Sequence, residues 1–142
     1  MLCTVAQIMT KPPIAVESGM SIVSMAKTMR AASIGSLFVK KGKQWVGIIT
    51  ETDIVRRAVA NNRNLVKETV EMIMTTPICT IEGNCMVHEA QDMMSKLRVR
   101  HLGVTLAGKI VGVISVRDLL LFYERYAQSK EREFSEPKIA QD

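Results

Sequence analysis

Two short elements of this chain set a hydroxyl and a carboxylate at the same spacing. Val46-Gly47-Ile48-Ile49-Thr50-Glu51-Thr52-Asp53 and Val111-Gly112-Val113-Ile114-Ser115-Val116-Arg117-Asp118 each run an apolar strand into Thr or Ser, with Asp three residues later in the first turn of a helix. Two chemistries fit this pattern. In one, Thr50 or Ser115 caps the helix by accepting from its free N–H groups, and the Asp supports the positive helix end. In the other, hydroxyl, carboxylate and unpaired N–H groups form a sugar-phosphate site: the Asp accepts from vicinal ribose hydroxyls and the hydroxyl reaches phosphate. From residue chemistry alone both readings stand.

The echo belongs to a longer one. Shifting the chain by 65 residues pairs Val5 to Val55 with Val70 to Leu120 without a gap, and thirteen positions coincide, among them Ile8/Ile73, Met9/Met74, Thr10/Thr75, Gly47/Gly112 and Asp53/Asp118. At several others, such as Val16/Ile81, Ile22/Val87, Ile34/Val99, Ile48/Val113 and Ile54/Leu119, one apolar residue replaces another. A unit of this size buries too little surface to be secure alone, so the two copies are expected to pack on each other around pseudo-twofold clefts.

Each copy reads as strand, helix, strand, strand, helix, an α+β layer. In the first, Ile14 to Val16 follows Pro12-Pro13 as a short strand, and Ser21 caps a helix whose inner face is Ile22, Met25, Ala26 and Met29. Strands over Leu37 to Lys40 and Gln44 to Thr50 join through Gly42, and a helix covers about Glu51 to Ala60. In the second copy the order repeats: a strand near Cys79 to Ile81, a helix with Val87, Ala90, Met94 and Leu97 inward and Asn84 as its nearest cap, a hairpin at Ala107-Gly108, a strand Ile110 to Ser115, and a helix from Val116. The boundaries expected are 5–64 for the first unit, 65–128 for the second and 129–142 for a polar, frayed tail.

Bulk properties narrow the function classes. No apolar run approaches the ~18 residues that span a bilayer and the first ten residues lack a signal-peptide pattern, so a cytoplasmic chain without membrane contact is expected. The net charge of +5 is dispersed over Lys40, Lys41, Lys43, Arg56, Arg57, Arg98 and Arg100; with aromatics at 4%, a nucleic-acid partner is disfavoured. Cys3, Cys79 and Cys85 have neither disulfide nor zinc spacing, and Cys79, Cys85, His88 and His101 match no usual ligand pattern, so no metal and no cofactor is expected. No G-x-G-x-x-G, P-loop, H-E-x-x-H or G-x-S-x-G element is present, and the reading is of a protein that is not an enzyme.

The repeated Ile-Met-Thr entries, the strands Ile34 to Val39 and Val99 to Val104, and the two G-h-h-[T/S]-x-x-D elements resemble a tandem pair of CBS (cystathionine beta-synthase) domains, the Bateman module, from about Val5 to Tyr126. The resemblance implies two pseudo-symmetric units, two clefts, and regulatory binding of adenosine-containing ligands: AMP, ADP, ATP or S-adenosylmethionine. It maps the ribose-holding carboxylate to Asp53 and Asp118 and the hydroxyl near phosphate to Thr50 and Ser115. The adenine walls map to Ile14, Ala15, Val16, Ile34, Gly35 and Ser36 in one half and to Cys79, Thr80, Ile81, Val99, Arg100 and His101 in the other. Arg100 and His101 resemble the family's basic pair that reaches phosphate, and Gly35 and Ser36 stand in their place in the first unit, so the clefts are unequal. Where the family often has Pro, Phe38 and Gly103 stand.

The expected function is a non-catalytic sensor that binds an adenine nucleotide or S-adenosylmethionine and acts on an unknown regulated protein. The alternative is a protein-interaction or dimerisation module with vestigial clefts. Ile54, Val55, Ala58, Val59, Leu119, Leu120 and Phe122 hold more apolar surface than one small sheet can cover, which implies a homodimer built on the helices after the two Asp motifs.

Overall fold

The computed structural model describes residues 2–135. The duplicated sequence folds as two duplicated sheets. In the first unit β1 (Ala15–Glu17) lies parallel to β2 (Ser36–Lys41), which pairs antiparallel with β3 (Gln44–Thr50); in the second, β4 (Thr80–Glu82), β5 (His101–Leu106) and β6 (Lys109–Ser115) repeat this order. The register repeats too: Val16 faces Val39 and Ile81 faces Val104, and each hairpin carries an irregularity, at Val39/Lys40 and at Val104/Thr105. The turns sit on left-handed residues, Gly42 at φ 64° and Ala107-Gly108 at 51° and 75°.

Helices α2 (Ile22–Ala32) and α4 (Val87–Leu97) cover the sheets. Ser21 caps α2, its side chain accepting from the Ser24 N–H at 3.2 Å. Ile22, Met25 and Met29 are buried, whereas Ala26 is only partly buried. The cap of α4 is not Asn84: Glu89 reaches back from the first turn and its carboxylate accepts from the Met86 N–H at 2.7 Å. Nor is Leu97 inward, since it is 50% exposed at the last turn while Val87, Ala90 and Met94 fill the core.

The helix after the first Asp motif, α3, starts with Glu51–Asp53 and widens over Ile54–Val59, where the Ala60 N–H bonds the Val55 carbonyl five residues back. Its counterpart α5 (Val116–Ser135) is regular and far longer. It carries helix through 129–135, where a frayed tail is expected from composition; the remainder of that tail lies outside the described residues.

Neither core is completed by its own unit. The arm that opens the first unit, which includes the short helix α1 (Val5–Ile8), crosses to the second sheet: Val5 is fully buried in the second core, and Thr10 pairs with Val113 through two backbone hydrogen bonds of 2.8 and 3.0 Å. The arm that opens the second unit crosses the other way. Val70 and Ile73 are fully buried in the first core, and Thr75 pairs with Ile48 at 2.8 and 3.0 Å.

Candidate functional site

The glycine of each G-h-h-[T/S]-x-x-D element makes room for an arm. A Cβ on Gly47 would stand 2.6 Å from Met74 Sδ and 2.9 Å from the Thr75 carbonyl; on Gly112 it would stand 2.8 Å from both Met9 Sδ and the Thr10 carbonyl. Only a residue without a side chain lets the arms approach this closely. The crossing then brings Thr10 of the first unit to Asp118 of the second.

Both Asp motifs build the helix cap first. Asp118 Oδ2 accepts from Ser115 N at 2.9 Å and from its hydroxyl at 3.0 Å, while Ser115 Oγ accepts from Asp118 N at 3.2 Å. The Thr50–Asp53 pair makes the same three bonds at 2.9, 3.1 and 3.4 Å. The cap uses one carboxylate oxygen, so the other decides what more each Asp can do. Asp118 Oδ1 accepts from the Thr10 hydroxyl at 3.1 Å, at an exposed position. Asp53 Oδ1 instead faces Arg57 Nε at 3.5 Å, and the same guanidinium donates to the Met74 carbonyl at 3.1 Å.

A cleft of about 930 Å³ lies on the Asp118 side. Its walls combine both units: Ile14, Ile34, Gly35, Ser36 and Phe38 come from the first, and Arg100, His101, Ser115 and Asp118 from the second. One face is apolar, and the other is a carboxylate and hydroxyl at a helix start, with three arginines, Arg30, Arg100 and Arg117, in the lining. The Arg100 carbonyl accepts from Val116 N at 2.9 Å, which fixes the turn before β5 against the start of α5. His101 beside it is half-buried, and its Nδ1, which is buried, has no hydrogen-bond partner among the described residues. Burial lowers the pKa of this imidazole; Glu51 and Asp118 oppose that shift, Arg100 adds to it, and Asp53 opposes it.

Of the residues singled out from the sequence, the cleft therefore gathers Ile14, Ile34, Gly35, Ser36, Arg100, His101, Ser115 and Asp118. Thr50 and Asp53 close the mirror-related motif and do not line it. Val16 and Ile81 do not line this cleft: both are inner residues of parallel strands, with side chains buried in the two cores. Val99 packs against the second core, and Thr80 is exposed on β4. Thr10, Arg30, Phe38, Glu51 and Arg117 line the cleft without having been assigned to it from the sequence. The strict Thr10/Thr75 identity was the available signal for Thr10. Arg30 and Arg117, paired in the repeat with Ser95 and Thr52, carried none.

Phe38 and Gly103 hold equivalent positions in the repeat and meet each other. A Cβ on Gly103 would lie 3.3 Å from Phe38 Cε1, so the small residue makes room for the large one. Trp45 packs edge-on against Phe38, with ring centroids 5.3 Å apart.

The sequence profile of the CBS domain matches residues 5–60 and again 66–125. The chain belongs to the CBS-domain family. Its pair of units is similar, at 36% identity over 84% of this chain and 72% of the relative, to a 17.7 kDa protein of Acidianus ambivalens, and at 30% over 70% and 51% to the mitochondrial CBS domain-containing protein CBSX3 of Arabidopsis thaliana. It spans 51% and 61% of the length of two further archaeal relatives. Among solved structures, a CBS-domain protein of Burkholderia ambifaria superposes with a TM-score of 0.81 at 34% identity, covering 85% of this chain and 93% of the other. The CBS domain pair of protein MJ0100, solved with 5′-methylthioadenosine and S-adenosyl-L-methionine, superposes at 0.79 with 30% identity, covering 89% and 99%. The α+β architecture of two packed CBS units is thus common to this chain and these structures. No described helix is long and apolar enough to cross a membrane.

Proposed function

We propose that this CBS pair is a regulatory module that holds one adenosine-containing ligand in the composite cleft and catalyses nothing. The observation that carries the reading is the state of Asp118: one carboxylate oxygen is fixed by the cap, and the other is turned to an exposed hydroxyl at the edge of a cleft with apolar walls. Ribose hydroxyls bind that oxygen in place of, or together with, Thr10. Ile14 and Ile34 offer the purine a flat apolar contact, and backbone groups near Gly35 read its edge. The cleft size suits a nucleoside with a modest 5′ substituent. A 30% identical CBS pair solved with two adenosine compounds supports the ligand class.

Calorimetry of the purified chain with adenosine, AMP, ADP, ATP and S-adenosylmethionine tests this directly. The expected result is binding of at least one of them at one ligand per chain, weakened tenfold or more in Asp118→Ala. Absence of binding by all five at millimolar concentration ends the proposal.

The reading of an assembly module is favoured by a different observation. Val55, Val59, Leu120, Leu121 and Tyr123 on α3 and α5 are 38 to 64% exposed. Ala58 and Leu119, counted with this surface from the sequence, are buried in the cores, and Ile54 and Phe122 pack against them. We place a homodimer contact on the exposed set. Leu120→Glu sets a charge in that contact and is expected to give a monomer by light scattering; a parent chain that is monomeric at micromolar concentration refutes the contact.

A further inference from the structure

Glu51 is the one acidic group of the cleft with no task in either the cap or the anchor. It is the first residue of α3, in the slot that Val116 fills in the second unit, and its N–H bonds the Gly35 carbonyl at 3.2 Å. Its carboxylate lines the composite cleft but accepts no hydrogen bond and joins no ion pair among the described residues. A Cβ built on Gly35 would lie 3.6 Å from Glu51 Cδ and Oε2 and 3.6 Å from His101 Nε2, so carboxylate and imidazole flank one point of the wall.

With ribose on Asp118 and the base against Ile14 and Ile34, the 5′ substituent is left the serine hydroxyls, His101 and the remaining charged lining: Arg30, Arg100, Arg117 and Glu51. The arginines attract anionic groups. Glu51 opposes each added negative charge, and His101 does not cancel it, because burial keeps the imidazole neutral at pH 7 despite Glu51 and Asp118 nearby.

We propose that Glu51 grades adenosine ligands by the charge of the tail, holding di- and triphosphates below the affinity that the three arginines would otherwise give them and leaving uncharged, cationic and monophosphate tails less affected. This rests on the nucleoside reading of the cleft. At a separation of roughly 7 Å in a partly hydrated cleft, each added unit charge costs about three- to tenfold in affinity.

The test is calorimetry of adenosine, AMP and ATP without divalent cations, on the parent chain, Glu51→Gln and Glu51→Asp. Glu51→Gln is expected to tighten ATP by about tenfold or more and AMP by less, while leaving adenosine within about twofold; Glu51→Asp is expected to keep the parent order. Added salt is expected to shrink the gap between parent and Glu51→Gln for ATP only. If Glu51→Gln moves all three ligands equally, or moves none, the assignment of Glu51 is overturned while the nucleoside site stands. If the parent binds none of the three, nor ADP nor S-adenosylmethionine, but the fold is intact by circular dichroism, the nucleoside reading itself is overturned and the Glu51 assignment with it.

Discussion

Asp118 and Asp53 are the same residue of the same repeated motif, cap their helices with the same three hydrogen bonds, and end in different surroundings. Asp118 gives its second oxygen to a hydroxyl at the edge of an open cleft. Asp53 is buried to 8% exposure and gives its second oxygen to Arg57, one turn along its own helix. The residue one turn beyond Asp118 is Phe122, which packs on the second core and leaves the carboxylate alone. A motif eight residues long therefore determines the cap, and residues just outside it determine whether the second carboxylate oxygen is held within the helix or left at an open cleft.

The contrast breaks most visibly by removing each anchor. Asp118→Ala is expected to weaken an adenosine ligand by tenfold or more, since charge-assisted bonds to ribose are worth roughly 1.5–3 kcal/mol each. Asp53→Ala is expected to leave affinity within about twofold. Equal losses in calorimetry would show that the two motifs are functionally alike.

The glycines probe what the halves share. Gly112→Ala and Gly47→Ala each force a Cβ against a backbone carbonyl and a methionine sulfur, and each is expected to destabilise the fold by ~1–3 kcal/mol in urea unfolding. If only one variant is destabilised, the arms are not equivalent.

Arg57→Gln sharpens the same comparison at a smaller scale. Arg57 is about half exposed, so its loss is expected to cost no more than ~1 kcal/mol of stability. Ligand stoichiometry is expected to stay at one, because Asp53 remains buried. A rise to two sites would assign the asymmetry to Arg57 rather than to burial.

The smallest effect is the pH dependence from His101. Its folded pKa lies below the ordinary value, so the unfolded chain binds the proton first as pH falls. Stability is then expected to decline as pH drops through the ordinary histidine range near ~6.5, and less steeply in His101→Gln. Thermal unfolding at stepped pH reads this, and parallel profiles for the two chains would remove His101 as the source.

The repeat order, both sheets and the two caps were legible because they rest on local patterns: alternation, the Ser21 cap, the Gly42 turn and the Asp three residues after a hydroxyl. The pairing of cleft walls was not. Ile14 and Asp118 line one cleft although they belong to different units, and the crossing of the arms leaves no local trace beyond Gly47 and Gly112, whose need for space comes from residues far along the chain. The charge of the cleft was hidden for a related reason. Arg30, Glu51 and Arg117 occupy positions where the repeat gives Ser95, Val116 and Thr52, so self-comparison sets them aside as divergent surface.

The crossed arms also bear on how such a chain can be divided. A half bearing one arm and one sheet would have an arm with no strand to receive it and a core lacking its last apolar residues. Two such halves would complete each other only by trading arms between molecules, at a strength set by their concentration. Joining them in one polypeptide makes that trade intramolecular, with an effective concentration on the order of millimolar. Tandem duplication thus replaces a concentration-dependent exchange between chains with a permanent one within a chain.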